Sequence, residues 1–306
     1  MRDYLFLLLA VVGSACHPIA GSAATTRAAG PRHCHYDVVL TDATSGQLEV
    51  EVRCSGGEVN TFIANEESIA HLTTARLHDG QALIRHGNRF DVPAAATGPI
   101  HYAINLDAAA RQANSIDVVY KAGPAWVAAG SSWLLQPQPL RADTRVTVAV
   151  RTPANSGFAS GMKRDDSGNY TILARRLHSA TYGVFGAFRE EGFSVPGPFA
   201  FMPAVVTTSP HSEKARIKVV VLPGDLTLTM DQLTYWLREA AMAVGRFWGG
   251  FPVDDVCILV IPKAGYDRVV HGKVVSAGGP TIALQVGAQL DPSRLHDDWI
   301  VVHELF

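Results

Sequence analysis

The chain has 306 residues, of which 47% are apolar and 18% are charged, and its formal net charge is −2. This charge balance excludes an extended basic surface, so we expect no nucleic-acid partner. After the N-terminus no apolar run reaches the roughly 20 residues that a membrane-spanning helix needs. The length accommodates two domains with separate cores.

The N-terminal residues have the pattern of an export signal. Arg2 precedes an apolar run over residues 5–12, and small residues then lead to a predicted cleavage site at residues 22–24. An alternative is lipid attachment at Cys16, because residues 13–16 (GSAC) resemble a bacterial lipobox. Residues 25–34 are interpreted as a linker. We therefore expect an exported protein that is periplasmic, secreted or tethered to a membrane as a lipoprotein.

The remaining cysteines indicate one disulfide. Cys34 and Cys54 flank two strand-like segments and are predicted to pair, whereas Cys257 lies in an apolar run typical of a buried free thiol. The sequence His33-Cys34-His35 also suggests a metal site. Neighbouring side chains on a strand point to opposite faces, so these three cannot converge easily. A disulfide or an ordinary surface is therefore favoured over a metal site.

Residues 35–210 have the pattern of β structure. Leu48, Val50 and Val52 alternate with charged residues, which is typical of a strand with one buried face. Turn residues at 165–169 precede a short strand at 170–173, and only residues 106–114 suggest a helix. We predict an antiparallel β-sandwich for this region.

Residues 211–306 mix strands and helices. Apolar runs predict strands at 217–222, 256–261 and 281–286. Between the first two, Thr229 and Gln232 form a capping box for a helix that ends at the glycine pair 249–250. Asp291 is predicted to cap a last helix. The predicted core face of that helix consists of Leu295, Trp299, Val302 and Phe306.

This last helix carries His303 and Glu304 after an apolar lead-in. In the H-E-x-x-H motif, two histidines one helical turn apart bind zinc and the glutamate polarises the attacking water. The second histidine of the motif would come directly after Phe306. A His-Glu pair alone fits an ordinary surface helix equally well, so the pattern by itself does not decide between the two.

Five segments resemble, in the same order, the start of the gluzincin aminopeptidases, that is, the glycyl aminopeptidase family and its aminopeptidase N relatives. They are residues 99–106 (PIHYAINL), 170–173 (YTIL), 183–188 (GVFGAF), 247–253 (FWGGFPV) and 301–306 (VVHELF). The resemblance implies a mainly β N-terminal sandwich over residues 35–210. It also implies the N-terminal part of an α+β, thermolysin-like catalytic domain over residues 211–306.

The resemblance also implies functional roles. His303 would be a zinc ligand, and Glu304 would be the general base that activates water for hydrolysis of a peptide substrate. The strand at 281–286 would bind the peptide backbone as an added strand. The substrate-binding residues would be Gly278, Gly279, Thr281 and Ile282.

Two features depart from the family's pattern. No acidic residue follows Gly279 at the position where these aminopeptidases hold the substrate amine, so exopeptidase and endopeptidase specificity both remain open. The second histidine and the downstream glutamate ligand are not in this sequence, and one imidazole does not hold zinc tightly. We expect the chain as given, cut within the motif, to be inactive, whereas its full-length parent would bind zinc and hydrolyse peptides. The alternative is a non-catalytic β-sandwich binding protein with a relic peptidase domain.

Overall fold

The computed structural model describes residues 30–306, except residues 95, 97, 180, 181 and 198–212. The predicted signal sequence, Cys16 and the predicted linker up to residue 29 lie outside the described residues. The first strand begins at His33, inside the stretch that we interpreted as a linker. None of the described helices combines the length and apolar character needed to cross a membrane.

The described ranges contain twenty strands, three α-helices and short 3-10 helices. The strands are β1 His33–Leu40, β2 Gln47–Ser55, β3 Thr61–Ile63, β4 Leu72–Leu77, β5 Ile84–His86, β6 Arg89–Asp91, β7 Ile100–Asn105, β8 Val119–Ala122, β9 Ala125–Ala129, β10 Gln136–Gln138, β11 Arg145–Arg151, β12 Gly157–Ser160, β13 Lys163–Arg164, β14 Tyr170–Leu173, β15 Tyr182–Gly186, β16 Arg189–Pro196, β17 Lys214–Val221, β18 Asp255–Lys263, β19 Val269–Val275 and β20 Thr281–Gly287. The helices are α1 Leu106–Ala113, α2 Met230–Trp248 and α3 Ile300–Leu305, and the 3-10 helices are Ile69–His71, Gly130–Ser132, Ala174–Ser179 and Pro292–Asp297.

A seven-stranded sheet with the order β13-β14-β11-β1-β2-β7-β4 forms one layer of the sandwich. Strands β1, β2 and β7 alternate buried and more exposed residues, as the pattern in β2 predicted. Its described pairings are antiparallel except for β1 and β11, which run parallel. The prediction of an antiparallel sandwich was wrong at this pair. The chain reaches β11 only after crossing through the opposite layer, and such a crossover is what allows neighbouring strands to run parallel.

Two four-stranded sheets, β10-β3-β6-β5 and β12-β15-β9-β8, form the opposite layer. The core between the layers contains Tyr36 and Tyr102 from the centre of the seven-stranded sheet. Tyr36 donates its hydroxyl to the carbonyl of Leu135 at 2.6 Å, and Tyr102 donates to the carbonyl of Trp133 at 3.0 Å. Both phenols are therefore satisfied inside an apolar core. The predicted mainly β sandwich is confirmed.

Local predictions in the sandwich agree with the structure. Cys34 and Cys54 face each other in β1 and β2 and form the predicted disulfide, with their Cα atoms 4.1 Å apart. Cys257 is a buried free thiol, and burial raises its pKa to about 12. The predicted short helix is α1, where Asn105 accepts a hydrogen bond from the Ala108 amide at 2.7 Å.

The second region is built on a mixed five-stranded sheet with the order β16-β17-β18-β20-β19. Strands β17, β18 and β20 run parallel, and β16 and β19 are antiparallel strands at the two ends. Strand β16 falls within the range predicted for the sandwich, yet it pairs along its length with β17. Strand β19 was not predicted, because a bulge near His271 and the glycine at 272 interrupt its alternation.

Both faces of this sheet are covered, so the sheet is a middle layer between the helices and the sandwich. One face packs against α2 and α3 through residues such as Ile258 and Leu284. The opposite face packs against the sandwich through residues such as Leu259 and Ala283. Helix α2 begins with the predicted capping box, in which Thr229 accepts from the Gln232 amide, and it ends at Gly249. These contacts fix the sheet between the sandwich and the helices.

The last predicted helix differs from the structure in its length and its buried face. Asp291 caps a 3-10 helix, Pro292–Asp297, and α3 begins only at Ile300. The extended backbone of Asp298 separates the two and changes the rotational phase of the second helix. Leu295 is buried as predicted, but Trp299 is 67% exposed. Phe306 is also exposed, Val302 is half-buried, and the residues of α3 that enter the core are Val301 and Leu305.

Candidate active site

Helix α3 holds His303 and Glu304 at one end of the five-stranded sheet. Val301 and Leu305 anchor the helix in the core, which leaves His303 exposed and Glu304 partly covered against the sheet. The amide of Val301 donates to the carboxylate of Asp298 at 3.3 Å, which satisfies part of the helix start. Burial raises the pKa of Asp298. Local packing and capping therefore position the two residues of the predicted motif.

Glu304 lies directly over Gly272 of strand β19. A Cβ atom added at Gly272 would be 2.5 Å from Cγ of Glu304 and 2.9 Å from its Oε1. Any residue with a Cβ at position 272 would therefore displace the Glu304 carboxylate from this position. Since Gly272 pairs with Leu284, it lies on the same sheet face as α3. Sequence reasoning missed this residue, and the weak signal for it was a glycine inside the valine-rich run at 269–275.

Strand β19 ends the order of the five-stranded sheet, so one of its edges has no strand partner within the described residues. Its other edge pairs with β20. An open edge presents backbone N–H and C=O groups that can pair with an extended peptide. The carboxylate of Glu304 thus lies over the strand with the open edge.

His303 is exposed on the outer side of α3. Its ring contacts the indole of Trp299 edge-on, with 5.4 Å between the ring centroids, and its amide donates to the Trp299 carbonyl at 2.9 Å. An exposed imidazole beside an exposed indole is accessible to a ligand or an ion. His303 and Glu304 are adjacent on the short helix, so their side chains point in different directions around its axis.

The described residues do not fit a complete zinc site. A catalytic zinc ion takes three protein ligands and keeps a fourth position for water. Across the described part of the chain, no group of three or more His, Cys, Asp and Glu side chains is arranged to hold a metal ion. His303 thus supplies one imidazole, and nothing described near it completes the set.

The four predicted substrate residues lie away from the open edge. Ile282 pairs with Ile258 on one side and with Val274 on the other, so β20 cannot accept an added strand. Thr281 is fully buried and faces the sandwich. A Cβ at Gly279 would lie 1.7 Å from the carbonyl oxygen of Gly161. The strand-addition role predicted for residues 281–286 therefore does not fit this position in the sheet.

Gly278 is also at the contact with the sandwich. Its carbonyl accepts a hydrogen bond from the Lys163 amide at 3.3 Å, and a Cβ there would meet the side chain of Ile172 at 2.7 Å. The glycine pair at 278–279 thus allows a close approach of two backbones rather than of a substrate. The open edge beside α3 therefore belongs to β19 and not to the strand at 281–286.

A groove of about 850 Å³ lies elsewhere, where the sandwich meets strands β16 to β18. Its cations include Arg216, which forms an ion pair with Asp255 at 2.7 Å, and Lys218, which lies 3.7 Å from Glu190. Lys218 pairs in register with Cys257, which belongs to the core on the sandwich side of the sheet. The groove is thus on the face opposite α3, and we do not assign the predicted hydrolysis to it.

Comparison with known proteins relates this fold to solved structures only. No family model matches the sequence, and no curated protein matches it. An aminopeptidase N family protein from Idiomarina loihiensis superposes with a TM-score of 0.61 at 14% identity, over 84% of this chain and 42% of that chain. The M1 zinc metallopeptidase from Deinococcus radiodurans gives a TM-score of 0.41 at 12% identity, over 90% of this chain and 62% of that chain.

The chain therefore spans less than two thirds of the length of either protein. At 14% identity the likeness to the Idiomarina protein establishes the fold and no activity. In this chain the fold is a sandwich followed by a mixed sheet that carries helices on its far face. The chain thus has the fold of part of an aminopeptidase N family protein.

Proposed function

We propose that this chain contributes the sandwich and part of the catalytic domain of a zinc-dependent peptidase, with His303 as a metal ligand and Glu304 as the general base. The observation that carries the proposal is the position of Glu304 over Gly272, on the strand with the open edge. The fold shared with the aminopeptidase N family protein supports it. The resemblance of residues 301–306 to the zinc helix supports it as well.

The substrate in this proposal is a peptide that extends along β19. Backbone pairing to an open edge binds a peptide with little dependence on its side chains. The carboxylate of Glu304 would then lie beside the bound backbone, where it can accept the proton of an attacking water. The remaining metal ligands would have to come from outside the described residues.

The decisive measurement tests whether the protein, as its gene encodes it, hydrolyses a set of peptides. The set pairs free with acetylated N-termini, which separates exopeptidase from endopeptidase cleavage. We expect Glu304→Gln to lower kcat by about 10²- to 10⁴-fold, the usual contribution of a general base, with little change in KM. Full activity of the Gln variant would refute the role of Glu304.

A second pair of variants separates position from chemistry. Gly272→Ala should displace the Glu304 carboxylate and lower kcat while the protein stays folded, because a flexible side chain gives way more easily than backbone. Gly192→Ala in β16 is the matched control, since its added Cβ would meet only the Ile217 carbonyl oxygen at 3.5 Å. Binding of peptides without any hydrolysis would instead support the non-catalytic binding protein.

A further inference from the structure

Two histidines of β1 lie together on the outer face of the seven-stranded sheet. Cys34 points inward to its disulfide with Cys54, so the alternation of the strand places His33 and His35 on the opposite face. Cys34 is bound in the disulfide and cannot join the two histidines in a metal site. The same alternation that removes Cys34 brings the two imidazoles onto one surface.

The two rings point at the same atom. Nε2 of His33 lies 2.9 Å from Oγ1 of Thr147, and Nδ1 of His35 lies 2.7 Å from it. Thr147 stands on the neighbouring strand β11, in register with His35. A hydroxyl donates only one hydrogen, so one imidazole accepts from Thr147 and the other donates to it. Two ring nitrogens from one strand therefore converge on one point.

This convergence suits a metal ion that binds imidazole. Metal–nitrogen bonds of this kind are about 2.0–2.1 Å long, so an ion bound by both rings would replace the Thr147 hydroxyl as their common partner. Thr147 is only 8% exposed and forms the floor, while the His35 side chain keeps 29% of its surface open to solvent. An ion can therefore reach the two nitrogens from solvent.

A carboxylate orients one of the two histidines. Asp37 Oδ2 lies 3.5 Å from Nε2 of His35, while Nδ1 of this ring faces Thr147, as in metal sites whose histidines are oriented by a carboxylate. Arg145 and Arg53, which pair in register with His33 and His35, oppose a cation, whereas Asp37, which also pairs with Arg53 at 3.4 Å, attracts it.

We propose that His33 and His35, whose rings converge above Thr147, form a surface site for a divalent transition metal ion, Cu²⁺ in particular. Cu²⁺ binds nitrogen ligands more strongly than the other divalent first-row ions and accepts tetragonal sites with few protein ligands. No third His, Cys, Asp or Glu completes a cluster among the described residues, so solvent would fill the remaining positions. The site does not depend on His303 or Glu304.

The test is a titration of the protein with Cu²⁺ alone, followed by calorimetry and by electron paramagnetic resonance. We expect one ion per chain and a signal with two nitrogen ligands. His33→Ala and His35→Ala should each weaken binding by more than roughly tenfold and remove one nitrogen from the signal, and Asp37→Asn should weaken binding by about tenfold. His101→Ala is the matched control on the same sheet face, where this ring is paired with Glu51, and it should change nothing.

Three outcomes would overturn the proposal. The first is the absence of stoichiometric Cu²⁺ binding by the wild type. The second is an equal loss of affinity in His101→Ala and in the two site variants. Thr147→Val keeps both imidazoles and should retain the two-nitrogen signal. The third outcome is loss of this signal in a Thr147→Val variant that unfolds like the wild type. Unfolding curves without copper show whether each alanine variant is folded.

Discussion

The disulfide between Cys34 and Cys54 should account for a large part of the stability of the sandwich. The two cysteines are 20 residues apart and join the two central strands β1 and β2. Closing a loop of this length restricts the unfolded chain, and the loop-entropy relation gives about 3 kcal/mol at 25 °C. Opening the bridge should therefore lower the free energy of unfolding by about 3 kcal/mol.

Urea unfolding with and without a reductant measures this difference without removing any atom from the protein. The double variant Cys34→Ala/Cys54→Ala should lose slightly more, because the Cys34 side chain is fully buried and its sulfur would leave a gap. Cys257→Ala is the control, since this free thiol forms no bridge and the variant should keep the full response to reductant. A response below about 1 kcal/mol in the wild type would refute the reasoning.

Two further predictions concern the contact of the two regions and the start of α3. Gly279→Ala should lower the free energy of unfolding by at least about 2 kcal/mol, because its φ of +149° and its approach to the Gly161 carbonyl both exclude a Cβ. Gly168→Ala, with a φ of +83° and open space around it, should lower this free energy by only about 1 kcal/mol in the same urea titration. Asp298→Asn should raise stability at neutral pH, because burial raises the pKa of Asp298 and thus disfavours its ionised form in the folded state. Below the ordinary pKa of aspartate, about 3.9, both states are protonated and the difference should vanish, so a gain that persists at low pH would contradict this explanation.

Several local features were predictable from the residues themselves. Thr229 and Gln232 specify the start of α2 because a capping box is formed by groups three residues apart. The disulfide followed from Cys34 and Cys54 flanking two adjacent strand-like segments. In each case the interacting groups are near in sequence, or the repeat that places them is short.

Predictions about position in a sheet were less successful. The strand at 281–286 was predicted correctly, yet its proposed substrate role depended on an open edge that it does not have. The open edge belongs to β19, whose glycine and bulge concealed it. The face of α3 was also mispredicted, because the extended backbone at Asp298 changes the helical phase after the 3-10 helix.

The sequence alone determined the mainly β character of the first region, the change to mixed α and β structure in the second, and the pair His303 and Glu304 on a helix. Only the tertiary structure decided that Glu304 lies over Gly272 and that His33 and His35 converge on Thr147. The physical reason is that periodicity determines which face of a strand is buried. The choice of neighbouring strand depends on hydrogen bonds between residues that are distant in sequence, and it is set only when the layers pack.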